Sequence, residues 1–332
     1  AVETSNFEVV ADNANRLIFT ATEQNGATDT SAMGAYSALW DEVERRIDGE
    51  IVNPSIPFSQ RRLDSSGLVN PRGEITVIGG TEGLGKTTWV LSAEYYVLKA
   101  GYGIAHFSLE MRKRELIASF ASMCSGVPKP QLLLRRLSSG NWDKFVSAAS
   151  TIKDFKLNII DEYFSLTPSQ LRRRLRKMIV SENQQVDLVV IDGLWLMKDD
   201  PETFINPRTG DVVVSRASRE RHEEVFEITR KLNEIAFEFN IHIWITHQFN
   251  TNLLNRKNKK PLITDFAESA GVRRNAQNMI GLQRLDGSGI TRAHILKLRN
   301  QNSAAIGMEI DYFYNADHSM VVESGDKVAS HE

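Results

Sequence analysis

Gly80-Thr81-Glu82-Gly83-Leu84-Gly85-Lys86-Thr87 sets glycine, lysine and a hydroxyl at the spacing G-x-x-x-x-G-K-[ST]. That spacing is the P-loop, a turn that cradles phosphate. It follows an apolar run, Ile75-Thr76-Val77-Ile78, and precedes a helical stretch from Thr87 to Ala100. Gly80, Gly83 and Gly85 let backbone N–H groups turn toward β- and γ-phosphates without Cβ clashes, and the helix N-terminus adds positive potential. Lys86 would reach the β/γ oxygens, and the Thr87 hydroxyl would ligate Mg²⁺. Thr88, next on the helix, completes the binding set for ATP or another nucleoside triphosphate.

Two strand-end carboxylates extend this chemistry. Leu188-Val189-Val190-Ile191-Asp192 is an apolar strand ending in an acid, where Asp192 can hold Mg²⁺ through water. Phe107-Ser108-Leu109-Glu110-Met111 supplies the other, with Glu110 placed to polarise the water attacking the γ-phosphate. The alternative for Glu110 is a helix-start acid that favours the following N-terminus. A further run, Ile241-His242-Ile243-Trp244-Ile245-Thr246-His247-Gln248, ends in polar groups. Of these Gln248, ahead of His247, is the expected γ-phosphate contact.

Positioning such groups takes an ordered sheet, and the chain is long enough for one. Its 332 residues, 41% hydrophobic and 25% charged, suit one large α/β domain with an appendage. No apolar run approaches a membrane span, and the N-terminus lacks a basic-then-apolar leader. The single cysteine, Cys124, excludes an intramolecular disulfide framework and a cysteine zinc site, and reads as a small buried hydrophobe. The cytoplasm, or a host's cytoplasm for a virus, is the expected compartment. A net charge of −2 gives no global attraction to nucleic acid, so such binding would rest on local basic loops.

Residues 1–34 are polar and without period, which predicts a flexible arm. Over 35–72, Tyr36, Leu39, Trp40, Val43 and Ile47 recur at helical spacing, followed by a linker from Val52 to Ser66. The helix's apolar stripe would cover the chain's own core or a neighbouring subunit. From Gly73, strand-like runs near 75–79, 103–108, 157–161, 187–191 and 241–246 alternate with helical patterns. One helix opens with Thr167-Pro168-Ser169-Gln170, a capping signature, and buries Leu171, Leu175 and Met178. Its basic run, Arg172, Arg173, Arg174, Arg176 and Lys177, is a solvated face or a nucleic-acid contact. After Ile290, short alternating runs at 291–298, 306–314 and 319–322 predict antiparallel additions at one sheet edge. The expectation is an α/β fold over 73–322: a mostly parallel twisted sheet, helices on both faces, antiparallel strands at the C-terminal edge, and a disordered tail over 323–332.

The ordered set Gly-Lys-Thr, Phe-Ser-Leu-Glu-Met, Val-Ile-Asp-Gly-Leu-Trp-Leu-Met, Thr-His-Gln-Phe-Asn and Asp265-Phe266-Ala267-Glu268-Ser269 resembles the DnaB-type replicative helicases. It is similar also to the helicase half of phage primase-helicases and to the mitochondrial Twinkle helicase. Phe-Ser-Leu-Glu-Met is the most family-specific piece. The resemblance, over roughly Gly73 to Val322, implies a RecA-like P-loop NTPase core that assembles as a ring, usually a hexamer. Such rings hydrolyse nucleoside triphosphate with Mg²⁺, move 5′ to 3′ on single-stranded DNA, and work beside a primase or polymerase. Carried over by position, Lys86, Thr87, Glu110 and Asp192 keep the roles above, and Gln248 is the γ-phosphate sensor. Lys297-Leu298-Arg299-Asn300 looks like the family's Lys-x-Arg-Asn element, whose arginine reaches a neighbour's site.

There are departures. Where the family has an arginine associated with the DNA backbone, this chain has Ala267. Phosphate contact would then fall to Arg256, Lys257, Lys259 and Lys260, to Arg273 and Arg274, or to the 198–221 loop with Arg208, Arg216, Arg219 and Arg221. The residues ahead of Gly73 hold no zinc ligands, so a preceding primase or primase-binding domain is either missing by nature or outside this fragment. Two other functions stay open: a recombination or repair ATPase, and a nucleotide-gated DNA-binding ring that unwinds nothing.

Overall fold

The computed structural model describes residues 55–324 apart from 59, 135–136, 162–165, 206–211, 216–219, 268, 286 and 300–302, together with Ala32, Tyr36 and Trp40. For 202–205, 212–215, 254 and 269 the backbone alone is described. The chain divides into two compact units, Ala1–Pro54 and Ser55–Glu332. In the first, Tyr36 and Trp40 are helical, and both are exposed, with ring centroids 6.3 Å apart. Leu39, Val43, Ile47 and the expected arm, Ala32 apart, lie outside the described residues.

The second unit opens with α1 (Arg61–Ser65), then β1 (Ile75–Gly80), α2 (Lys86–Lys99), β2 (Ile104–Ser108), α3 (Lys113–Ser125), α4 (Lys129–Leu134), α5 (Ser139–Asp154) and β3 (Leu157–Asp161). There follow α6 (Pro168–Arg176), β4 (Leu188–Asp192), a hairpin of β5 (Glu202–Ile205) and β6 (Val212–Ser215), α7 (Arg221–Glu238) and β7 (His242–Gln248). The chain then adds α8 (Ser269–Asn275), β8 (Asn278–Arg284), β9 (Ile290–Leu298), β10 (Glu309–Asn315) and β11 (Met320–Glu323).

Among the described residues nine strands form one sheet in the order β11-β10-β9-β8-β1-β7-β4-β2-β3. From β8 to β3 all neighbours are parallel, and β9, β10 and β11 extend the β8 edge antiparallel, as expected. The five predicted parallel strands fall within two residues of their limits. β8 was not among them: its run holds a glycine and polar ends, so its periodicity is weak, yet it pairs directly with β1. The β5–β6 hairpin was also unforeseen.

The parallel strands are buried on both faces, which explains their near-continuous apolar composition. On one face Trp89, Val90 and Val97 of α2 pack with Val190, Trp244 and Ile280. On the other, Leu171 and Leu175 of α6 and Val225, Ile228 and Leu232 of α7 pack with Val77, Val189 and Ile243. Each fully buried side chain of this size contributes about 1.5–3 kcal/mol. Cys124 is partly buried against the first cluster, and burial pushes its thiol up to about 11.

Two expected boundaries need correction. The segment read as a linker ahead of Gly73 belongs to the sheet unit from Ser55, because Ile56, Phe58, Leu63 and Leu68 are buried in its core. Phe58 stacks on Trp244 at 4.7 Å and 10° between planes, and Gln60 accepts a hydrogen bond from Tyr312. Likewise Glu323 is not tail: it closes β11 and accepts from the Arg62 N–H at 3.0 Å. Residues 325–332 lie outside the described residues.

The α6 signature forms as expected. Thr167 accepts from the Gln170 N–H while the Gln170 side chain accepts from the Thr167 N–H. Arg172 and Arg176 of its basic run both bond Glu238 of α7 at 2.7 Å, holding two helices together.

Candidate active site

Register brings the predicted groups to one edge. Gly80 at the end of β1 lies level with Gln248 of β7, and Asp192 of β4 lies level with Ser108 of β2 and Thr246 of β7. The P-loop leaves β1 through Gly83 and Gly85 at φ 68° and 99°, left-handed backbone that favours glycine. Gly85 then caps α2. Lys86 is folded onto its own loop, donating to the carbonyls of Thr81 at 2.9 Å and Gly80 at 3.2 Å. Burial lowers its pKa, while Asp192, Glu110 and Glu82 oppose the shift.

Thr87, Asp192 and Thr246 form a closed set. Thr87 Oγ1 donates to Asp192 Oδ2 and Thr246 Oγ1 to Asp192 Oδ1, each at 2.7 Å, and Gly193 N–H donates to Thr246 Oγ1 at 2.8 Å. The Thr87 hydroxyl and the Asp192 carboxylate are hard oxygen donors side by side, the set that suits Mg²⁺. Thr246 was not foreseen, although its strand was. Glu110 lies just past β2, on a turn pinned by Ser108: its hydroxyl donates to Met111 O and accepts from Met111 N–H. Burial raises the Glu110 carboxyl above the usual range, Asp192 adds to this, and Lys86 counters it. A raised carboxyl beside a phosphate turn suits a general base.

Gln248 is half-buried, and its backbone carbonyl accepts from Ala267 N–H at 3.1 Å. His247 Nε2 lies 2.8 Å from Ala267 O, and the Phe249 and Phe266 rings meet edge to face at 5.0 Å. β7 and the Asp265–Ala267 turn are thus one bonded piece.

Sequence reasoning assigned no role to several other residues at this edge. Arg284, ending β8, donates to Leu84 O at 2.9 Å, and its guanidinium lies 4.8 Å from the centre of the Tyr314 ring. Both side chains face Gly85. No motif marks them, since β8 and β10 come together only in the folded sheet. Trp195, within the quoted Val-Ile-Asp-Gly-Leu-Trp-Leu-Met stretch, is another: its ring lies 5.4 Å from Lys86 Nζ, and its carbonyl is held by Arg221 at 3.0 Å. Arg221 also bonds Met197 O and Glu224, so it staples the turn after β4. Arg208, Arg216 and Arg219 lie outside the described residues.

Arg299 stands elsewhere. Its N–H donates to Gln277 O, and the Gln277 N–H donates to Ile75 O, at the start of β1. Gly80 is five residues further on, and a strand advances about 3.3 Å per residue, so roughly 16 Å of sheet separates Arg299 from its own P-loop. Arg299 is exposed, bonds Arg274 O at 3.2 Å, and borders a cavity of about 390 Å³ with Glu74, Asn233, Phe237 and Gln277. Lys297 donates to Arg273 O and Ala276 O at the C-terminal end of α8, and burial lowers its pKa to about 8. Arg273 and Arg274 therefore group with Arg299 and not with the 251–260 loop. In that loop Arg256 pairs with Asp265, and Lys260 pairs with Glu309 at 2.7 Å. Lys257 is exposed and Lys259 half-buried.

The sheet order and the P-loop define a RecA-like P-loop NTPase core. The chain belongs to the DnaB-like helicase C terminal domain family, whose model matches residues 57–311. The replicative DNA helicase DnaB of Helicobacter pylori is 28% identical over 241 residues, which cover 73% of this chain and 46% of that protein. That of Geobacillus stearothermophilus is 23% identical over 289 residues, 84% of this chain and 58% of the relative. The chain spans about half the length of these relatives. A solved ATPase domain matches the fold with a TM-score of 0.73 at 20% identity, covering 89% of this chain and 99% of that one.

Proposed function

We propose that this chain is the motor part of a ring-forming replicative DNA helicase that hydrolyses ATP with Mg²⁺ and travels on single-stranded DNA, 5′ to 3′ as in its family. One observation carries the reading: Thr87, Asp192 and Glu110 gather at one end of the sheet, while exposed Arg299 lies at the other. A second copy can bring the two ends together. Repeating that head-to-tail contact closes a ring, with six copies as the expected number.

In this reading the triphosphate lies on the N–H groups of 81–87, and Lys86 leaves the Gly80 and Thr81 carbonyls for the β- and γ-oxygens. Arg284 and Tyr314 form a platform against which the base packs. Thr87 and Asp192 would hold Mg²⁺, which supplies charge neutralisation on the phosphates. Glu110 accepts the proton of the attacking water, and the neighbour's Arg299 stabilises the charge that develops. Loss of the γ-phosphate releases Gln248, and the backbone bond from Gln248 to Ala267 carries that change to the adjoining turn. Lys257, which is exposed, is the phosphate contact best supported in the 251–260 loop, since Arg256 and Lys260 already hold carboxylates. A primase or polymerase is the expected further partner.

A ring that binds DNA without unwinding it is the second reading, favoured by Ala267 and by those two occupied cations. Unwinding of a forked duplex separates them. Wild type should unwind with ATP and Glu110→Gln should not. ATP-dependent DNA binding with no strand separation by wild type would select the second reading.

A further inference from the structure

Beneath the phosphate site, on the α2 face of the sheet, lies a buried hydrogen-bonded pair that the chemistry above does not use. Glu94 of α2 and His106 of β2 are both completely buried, with Glu94 Oε1 and His106 Nδ1 2.8 Å apart. Glu94 follows Thr87 by seven residues, about two helical turns, so both point from the same side of α2. His106 precedes Ser108 by two, so both share one face of β2. The surroundings are apolar: Val190 and Ile159 are the strand neighbours of His106 and are buried in the same face. Glu94 Oε2 and His106 Nε2 have no hydrogen-bond partner among the described residues.

Such a pair is poor economy for stability. Replacing a buried ion pair with packed apolar groups is often neutral or stabilising. What it offers is direction, because a hydrogen bond fixes one strand-to-helix offset where apolar side chains allow sliding. That offset matters here. α2 starts at Lys86 and Thr87, while β2 ends at Ser108, whose hydroxyl pins the turn bearing Glu110.

We infer that Glu94 and His106 are positioning residues that lock β2 against α2 and so set Glu110 at its working distance from the phosphate bound over Lys86 and Thr87. Burial raises the Glu94 carboxyl while His106 opposes this. The imidazole is held above its ordinary value by Glu94 in spite of its own burial. Both shifts also carry a contribution from Asp192, so the pair feels the charge of the metal-binding carboxylate.

The inference rests on the reading of Glu110 as the base, and the test keeps the two apart. Glu94→Leu/His106→Phe replaces the pair with apolar groups of similar size, and Glu94→Gln keeps an oxygen that accepts from His106. Hydrolysis of ATP and affinity for a non-hydrolysable ATP analogue are measured for each. The double variant should keep its melting temperature and bind the analogue within about twofold of wild type. Its kcat should fall at least about tenfold, since a 1 Å misplacement of reacting groups costs on the order of 10²-fold. Glu94→Gln should restore most of the turnover. If the double variant does not fold, Glu94→Ala/His106→Ile is read the same way. Wild-type kcat in the apolar variants, or a Glu94→Gln as slow as they are, overturns the positioning role alone. Absence of hydrolysis by wild type overturns the reading of Glu110 and this inference with it.

Discussion

The two ends of the central sheet differ in how finished they are. At the P-loop end Thr87, Asp192 and Thr246 already bond one another, Lys86 is held by loop carbonyls, and Glu110 sits on a pinned turn. At the opposite end Arg299 is exposed at the rim of an open cavity, beside Glu74 whose carboxyl burial raises and Arg299 draws back down. Its neighbour Lys297 is spent on α8 carbonyls. One end is preassembled and the other waits for something to fill it. In the ring proposed above the chemistry is shared between copies, with each subunit giving the phosphate-binding groups on one side and a cation on the other.

The most severe test of that division is Arg299→Ala. It should leave nucleotide binding nearly intact and reduce hydrolysis by at least a few hundred-fold, given arginine-finger effects of roughly 10³ to 10⁵. Lys86→Ala should instead lose binding. Mixed rings of the two variants contain interfaces with Lys86 intact on one side and Arg299 intact on the other, so mixtures should regain part of the activity. No rescue at any ratio would mean that Arg299 serves its own subunit or none, and the two ends would not be halves of one site.

Legibility in the sequence varied even within the P-loop end. The P-loop, Asp192, Glu110 and Gln248 each sit at the end of an apolar strand, and parallel strands bring such ends together whatever the helices between them do. Arg284 and Tyr314 lie on strands added through antiparallel pairing, where neither periodicity nor motif announces which side chains meet. Phe58 failed for a similar reason: the Pro- and Ser-containing composition of 52–66 reads as linker, while its burial against Trp244 depends on a strand almost two hundred residues away. The Glu94–His106 pair was also invisible, since each residue alone is ordinary for its element.

A moderate effect is expected within the loop at the finished end. Lys257 is exposed, whereas Arg256 is engaged by Asp265 and the Lys260 carbonyl. Lys257→Ala should weaken single-strand binding and lower the slope of log affinity against log salt by about 0.7 per contact removed. Arg256→Ala should act differently, through loss of the fold of 256–265, with melting temperature falling alongside affinity. Equal salt slopes for wild type and Lys257→Ala would move the DNA contact away from this loop.

The smallest effect concerns Lys297 at the unfinished end. Burial lowers its folded-state pKa from 10.5 to about 8, with Arg299 adding to the shift. Below about 8 the ammonium is charged in both folded and unfolded chains, so the cost of burying it is fully present. Between 8 and 10.5 the unfolded chain binds more protons, and folding stability rises with pH across that window. Lys297→Met carries no such charge and should lack this rise. Melting curves of the two proteins should therefore converge or cross between pH 7.5 and 9.5, by a few degrees, since each kcal/mol moves the midpoint of a chain this size by roughly 2–4 °C. If Lys297 leaves the α8 carbonyls for a neighbour's phosphate, the difference should shrink in rings loaded with a non-hydrolysable ATP analogue. A pH dependence that persists unchanged in those rings would keep Lys297 as an internal cap of α8 and remove it from the cations that the second end contributes.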